Sequence, residues 1–227
     1  KVYFSDTGHH RIRCIEKNGI IQTIAGTGNP GAIGDGGLAA EAELNDPHGI
    51  ACSMDGSLFI ADSGNNKIRK ITTDGRIYTW AGNGTDAFAG DNDFALNASL
   101  NYPMDVAVDA NGNVYIADSS NLRVRKVDFS GRITSIAGNG TFTTSGDGGK
   151  AKNAGLSYPS SISIDSSGNI YIGSYYSVRM VKPDGFIATI AGGGINLNSD
   201  FSNGISANQF DVSPHGLAYG PDGLYIC

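Results

Sequence analysis

The sequence predicts an all-β repeat protein, and three observations predict it: a recurring phrase, a fixed spacing between its copies, and short apolar runs separated by Gly-rich turns. The phrase reads KVYFSDTGHHRIRCI from Lys1 to Ile15, GSLFIADSGNNKIRKI from Gly56 to Ile71 and GNVYIADSSNLRVRKV from Gly112 to Val127. Pro47, Pro103, Pro159 and Pro214 open successive copies at steps of 56, 56 and 55 residues, while Gly26, Gly82, Gly138 and Gly192 close them at steps of 56, 56 and 54. Self-similarity at such a period marks a solenoid, propeller or array. The repeats run over 27–82, 83–138 and 139–192, with partial units at 1–26 and 193–227.

Each period supplies four strands. In the type copy these are DVAVD (Asp105 to Asp109), NVYIAD (Asn113 to Asp118), RVRKV (Arg123 to Val127) and RITSIAG (Arg132 to Gly138). All are rich in Val, Ile or Tyr and bounded by Asn-Gly or Ser-Gly turns. YIA and VAV carry apolar character on both faces, which implies a small sheet sandwiched between neighbours. Four-stranded antiparallel sheets stacked on their own copies are the blades of a β-propeller.

The rest of each period is a longer insertion: GDGGLAAEAELNDP (Gly34 to Pro47), GDNDFALNASLNYP (Gly90 to Pro103) and GDGGKAKNAGLSYP (Gly146 to Pro159). Asp35, Asp91 and Asp147 align, each ahead of an Ala-rich stretch, which predicts a one- or two-turn helix with the carboxylate near its start. The fourth copy, Leu197 to Pro214, is degenerate.

These phrases resemble the NHL-repeat family of β-propellers in its long-repeat form with a GDGG-type insertion. The resemblance rests on PHGIACSMDGSLFIADSGNNKIRKITTDG (Pro47 to Gly75) and PMDVAVDANGNVYIADSSNLRVRKVDFSG (Pro103 to Gly131), and covers essentially the whole chain. The family's histidine is absent at Asn65-Asn66-Lys67 and Asn121-Leu122-Arg123, although Gly8-His9-His10-Arg11 comes near. The resemblance implies a closed ring of about six blades. The chain opens and stops at second strands, which reads as a segment of a longer polypeptide.

Composition narrows the function. Sixteen basic residues against 22 acidic ones give a net charge of −6, and the bases fall mainly on third strands, which argues against a nucleic-acid face. No apolar run is long enough to cross a bilayer. Cys14, Cys52 and Cys227 are too few for a disulfide framework and read as small buried hydrophobes. No hydrolase signature is present.

Up-and-down connections alternate ends, so the turn after strand two and the insertion after strand four share one face, the better place for binding. Sequons at Asn83, Asn97 and Asn139 all fall in loops there and are candidates for N-glycosylation. Asp6 with Arg13, Asp62 with Arg69 and Asp118 with Arg125 recur seven residues apart across a hairpin and read as structural turn and ion pairs. Ser174 replaces the aspartate in the next repeat, two residues are deleted, and a looser turn is expected over Tyr175 to Ser177. Asp91 and Asp93 offer alternate oxygen ligands, a weak calcium motif lacking a bidentate Glu. His48 and His215 share a position before the innermost strand, where two imidazoles would suit an axial metal.

The leading expectation is a non-catalytic protein-interaction or assembly module of a secreted or cell-surface protein, binding a protein partner or neighbouring domains through the long-loop face, with no metal or cofactor. The alternatives are a metal-dependent propeller lyase or hydrolase, or a ligand-sensing domain of a membrane receptor.

Overall fold

The computed structural model describes residues 1–193, 206–209 and 212–227. It is all-β, and the described residues form seventeen strands in five antiparallel sheets whose order follows the sequence. The first sheet holds β1 (Val2–Asp6), β2 (Arg11–Ile15) and β3 (Ile21–Ala25). The second holds β4 (Pro47–Cys52), β5 (Leu58–Asp62), β6 (Lys67–Ile71) and β7 (Ile77–Ala81). The third holds β8 (Pro103–Val108), β9 (Val114–Asp118), β10 (Arg123–Val127) and β11 (Ile133–Ala137). The fourth holds β12 (Ser161–Ile164), β13 (Ile170–Ser174), β14 (Ser177–Val181) and β15 (Ile187–Gly192), and the fifth β16 (Leu217–Gly220) and β17 (Gly223–Ile226).

The chain divides into two compact units, one of residues 1–116 and 127–134 and the other of residues 117–126 and 135–227. The division falls inside the third sheet and not at the repeat boundaries read from sequence.

Within the first unit the two-sided burial of the second strands has a direct cause. All five residues of β5 are buried. Leu58 and Ile60 join a cluster with Ile12, Ala25, Ala39, Ala42 and Leu44. Phe59 and Ala61, on the opposite side, pack with Ala95, Ala98, Leu100, Val106 and Ile116. Alternate residues of one strand thus serve two different cores, as the 2-residue side-chain period requires.

The insertions differ from expectation. Among the described residues no helix of one or two α-turns forms; Ala39–Glu41 and Ala151–Asn153 are single 3-10 turns with no side-chain cap. The reason is that their backbone is committed elsewhere. Each insertion is tied back to its own fourth strand, by Gly82 N–H to Ala95 O (2.9 Å) and Asn83 N–H to Ala98 O (2.8 Å) in one copy. Each also runs along the outermost strand of the following sheet: Ala39 N–H donates to Gly75 O and Ile77 N–H to Gly37 O, with the same pattern at Ala95/Gly131 and Ala151/Gly185. The insertion therefore covers an outer sheet edge that would otherwise present unpaired donors and acceptors.

Close approach explains the recurring Gly and Ala of that segment. Gly90 has φ +88°, and a Cβ there would lie 2.6 Å from the Ala98 Cα; Gly34 and Gly146 face Ala42 and Ala154 in the same way. Of the cysteines, Cys14 is buried, whereas Cys52 and Cys227 are exposed. Cys52 ends β4 where the chain turns out at Ser53 to Gly56, so the buried reading fails there.

Candidate interaction surface

The turn that leads into the arginine-bearing strand is built in one way in the first three sheets. A 3-10 turn at Thr7–His9, Ser63–Asn65 or Ser119–Asn121 ends on a left-handed residue, His10, Asn66 or Leu122. The aspartate before it anchors the turn. Asp62 accepts from Asn45 N–H (2.8 Å), Asn65 Nδ2 (2.8 Å) and Arg69 NH1 (3.2 Å), and both members of the ion pair are fully buried. Asp118 accepts from Asn121 Nδ2 (2.9 Å) and Arg125 NH1 (3.3 Å), again fully buried. Asp6 pairs with Arg13 (3.1 Å) and His9 (2.7 Å) closer to solvent.

The insertion aspartates, which sequence suggested as helix caps, reach these same arginines instead. Arg69 NH2 meets Asp35 at 2.7 Å, and Arg179 NH2 meets Asp147 at 2.6 Å. Burial alone would raise the Asp35 carboxyl, but Thr79 and the Arg69 guanidinium bring it below its ordinary value. Asp147 is lowered for the same reasons, through Thr189 and Arg179. Asp62 goes the other way: its deep burial outweighs Asn45, Asn65 and Arg69 and pushes it up. These carboxylates hold the fold, and none is arranged to meet a ligand.

The sequons lie in segments between strands, and two of them have a local task. Asn83 Oδ1 accepts from Thr85 N–H (2.9 Å), while its amide donates to Asn97 O and Ser99 Oγ, both at 3.1 Å. Asn139 accepts from Thr141 N–H and donates to Asn153 O (3.0 Å). The N-G-T spacing is thus that of an Asx turn that clips the two ends of the insertion together. The Asn97 side-chain amide donates to Asp93 Oδ2, at 3.3 Å, and the residue is exposed.

The weak metal candidates gather no ligand set. Asp93 is used locally by Phe94 N–H and Asn97. His48 lies 3.6 Å from Asp46 and 3.4 Å from the Tyr102 hydroxyl, which also donates to Asp46; His215 is exposed in the second unit. Among the described residues no three His, Cys, Asp or Glu side chains come together to hold a metal. Burial first, then Asp46, pushes the Tyr102 phenol up to about 12, so it serves as a hydrogen-bond donor.

What sequence reasoning missed is aromatic. In the second unit Phe142, just ahead of the insertion, and Tyr158, near its end, have ring centroids 5.1 Å apart, and Tyr175 and Tyr176 form the turn after β13 at 4.3 Å. Tyr175 N–H donates to Ser157 O (2.8 Å), which brings the two pairs side by side. All four are roughly half-exposed. The turn expected to be loose is instead a tight two-residue connection, with Ser174 paired to Ser177 and Ser213 Oγ donating to Tyr175 O. The deletion that suggested looseness is what shortens it. It was also the available signal, since it puts two tyrosines where the other repeats have polar 3-10 turns.

A family model for the teneurin NHL domain matches residues 28–87, 84–146 and 141–213. The chain belongs to this family. The teneurin-type NHL domain is 32% identical over 171 residues to Teneurin-m of Drosophila melanogaster, covering 69% of this chain and 6% of that protein. It is 31% identical over 136 residues to the chloroplastic protein SUPPRESSOR OF QUENCHING 1 of Arabidopsis thaliana, covering 56% of this chain and 13% of that one. The chain thus spans a small fraction of these relatives. Among solved structures, a streptogramin B lyase aligns over 99% of this chain and 71% of its own, with TM-score 0.61 at 16% identity. That likeness identifies the fold as a β-propeller.

Proposed function

We propose that this NHL domain is a non-catalytic module for protein interaction or assembly in a secreted or cell-surface protein, and that its partner docks at the end of the sheets carrying the insertions and second-strand turns. The observation that carries the reading is the exposed aromatic quartet Phe142, Tyr158, Tyr175 and Tyr176. Tyrosine and phenylalanine supply large contact area at low entropic cost and are typical of interface hot spots. At the other end the apolar residues Met54 and Phe129 are more exposed, 85% and 87%, but each stands alone in a tight turn. Isolated surface apolar residues are ordinary; a contiguous group is not. Membership of a family named for teneurins and the exposed sequon at Asn97 support an extracellular setting.

Photo-crosslinking tests this in the full-length protein on its own cells. A benzophenone side chain at Phe142 or Tyr176 is expected to capture a protein partner, and one at Met54 or Phe129 is not. Capture from the second pair alone, or from neither, refutes the reading.

The enzyme alternative draws on one cluster, Asp46, His48 and Tyr102, whose counterparts in the next repeat are Tyr102, Met104 and Tyr158. Metal analysis of the purified protein and of a His48→Ala variant decides it: stoichiometric zinc or calcium lost in the variant favours a metalloenzyme over the interaction module.

A further inference from the structure

Arg69, Arg125 and Arg179 occupy one repeat position, and all three side chains are completely buried. A buried guanidinium needs a counter-charge and acceptors for its donors. In the first full repeat Arg69 has two carboxylates, fully buried Asp62 and half-exposed Asp35. In the third, Ser174 stands where Asp62 would be, so the buried anion is gone while the cation remains. Arg179 keeps half-exposed Asp147, and its other contacts are neutral carbonyls, Gly155 O and Ser145 O, both at 3.1 Å.

The substitution leaves a mark in the hydrogen bonding. Ser174 Oγ, Ser177 Oγ and Arg179 Nε are buried with no partner among the described residues. Ser177 and Arg179 are two apart on β14, and Ser174 is the cross-strand partner of Ser177, so the three side chains lie on one face of the sheet. Arg69 Nε is also unpartnered beside its aspartates, so that atom alone distinguishes nothing; the two orphaned serine hydroxyls do. Native proteins rarely leave such groups unsatisfied without an ion or water. A polar pocket of about 340 Å³, lined by Thr144, Asp147, Thr189 and Gly192, adjoins the cluster, since Asp147 binds Arg179 and Gly192 pairs with Ser177.

We infer that a small monovalent anion, chloride under ordinary salt conditions, binds at Arg179, Ser174 and Ser177 and takes the place of the carboxylate that the other repeats carry in the chain. A halide accepts from both hydroxyls and the guanidinium and restores the missing negative charge. A water molecule would satisfy the donors but not the charge, which is why an anion is the better occupant.

The test holds ionic strength constant with gluconate and raises chloride while thermal unfolding is followed. A saturable upward shift of the midpoint is expected, because a ligand that binds only the folded state stabilises it by mass action. Ser174→Asp is expected to abolish the chloride response and to raise the chloride-free midpoint above that of the wild type. Crystals grown in bromide should show an anomalous peak against Arg179 Nε and the two hydroxyls. A midpoint that ignores the identity of the anion, a Ser174→Asp variant that keeps the full chloride response, or a bromide map with no peak there overturns the inference. Where Ser174→Asp does not fold because the two-residue turn cannot hold a carboxylate, the wild-type bromide map alone decides.

Discussion

Removing Asp62 should cost far more than removing Asp35, although both carboxylates bind the same arginine. Asp62→Ala takes away a fully buried acceptor of three hydrogen bonds. The Asn45 N–H, the Asn65 amide and one arm of Arg69 are left without it, and Arg69 retains Asp35 and Glu43 O (3.3 Å). Breaking a buried ion pair from one side costs about 3–5 kcal/mol. Asp35 is half-exposed, and water takes over the freed arm of Arg69, so Asp35→Ala belongs with exposed pairs at roughly 0.2–1 kcal/mol. For chains of this size 1 kcal/mol moves the melting temperature by about 2–4 °C, so the expected losses are about 6–20 °C and at most about 4 °C. Differential scanning calorimetry of the two variants makes the comparison. Equal losses would refute the claim that burial, and not the presence of a charge partner, decides the worth of these pairs.

Other outcomes follow from the same geometry. Gly90→Ala places a Cβ 2.6 Å from the Ala98 Cα at φ +88° and should cost at least about 2 kcal/mol in urea unfolding, whereas Gly112→Ala, at φ +78° with open space around it, should cost only about 1. Tyr171, through burial and then Asp165, and Tyr102, through burial and then Asp46, are both raised from 10.0 to about 12. A phenol raised in the folded state favours folding fully below its unfolded value and loses that contribution as pH climbs to the folded one. Stability should hold to about pH 10 and fall between about 10 and 12, with a shallower fall in Tyr171→Phe; tyrosinate absorbance alongside calorimetry reads both. At the sequons, Asn83→Gln should lower stability by about 1–2 kcal/mol through the lost clip, Asn97→Gln should not, and mass spectrometry of the protein expressed through a secretory pathway should find glycan at Asn97 and none at Asn83.

The strand pattern was legible because the repeats check one another. Ile60 and Phe59 on opposite faces of one strand admit no reading but burial on both sides, and the sequence repeats that pattern at Ile116 and Tyr115. The Asp–Arg spacing of seven was legible for the same reason, since a hairpin of fixed length returns the arginine to the aspartate. The role of Asp35 and Asp147 was not. An aspartate ahead of alanines has a local explanation as a cap, while its partner here lies 34 residues on for Asp35 and 32 for Asp147. Sequence reasoning weighs near neighbours, and an insertion that leaves its own sheet to line the edge of the next has none of its decisive contacts nearby.

That same insertion changes where function can reside. The alanines and the leucine that recur in it, Ala95, Ala98 and Leu100 in one copy, are core, and its backbone is spent on an outer edge, so most of what sequence offered as a binding loop is structural. In a repeat array, residues that recur at one position answer to the fold they share, and residues that do not recur are the ones free to serve anything else. Phe142 replaces Asp86 of the preceding repeat, and Tyr175 with Tyr176 replaces a four-residue polar turn. The outer edges show the complementary case: Phe94 faces Arg132 at 5.0 Å, and Lys150 faces Phe186 at 3.9 Å, an exchange of cation and ring across the same pairing that keeps the contact while changing both partners. Where variation preserves a contact it is upkeep of the fold. The third full repeat departs from its copies without such compensation, in its exposed aromatic rings and in the missing buried carboxylate, and both departures meet at the turn between β13 and β14.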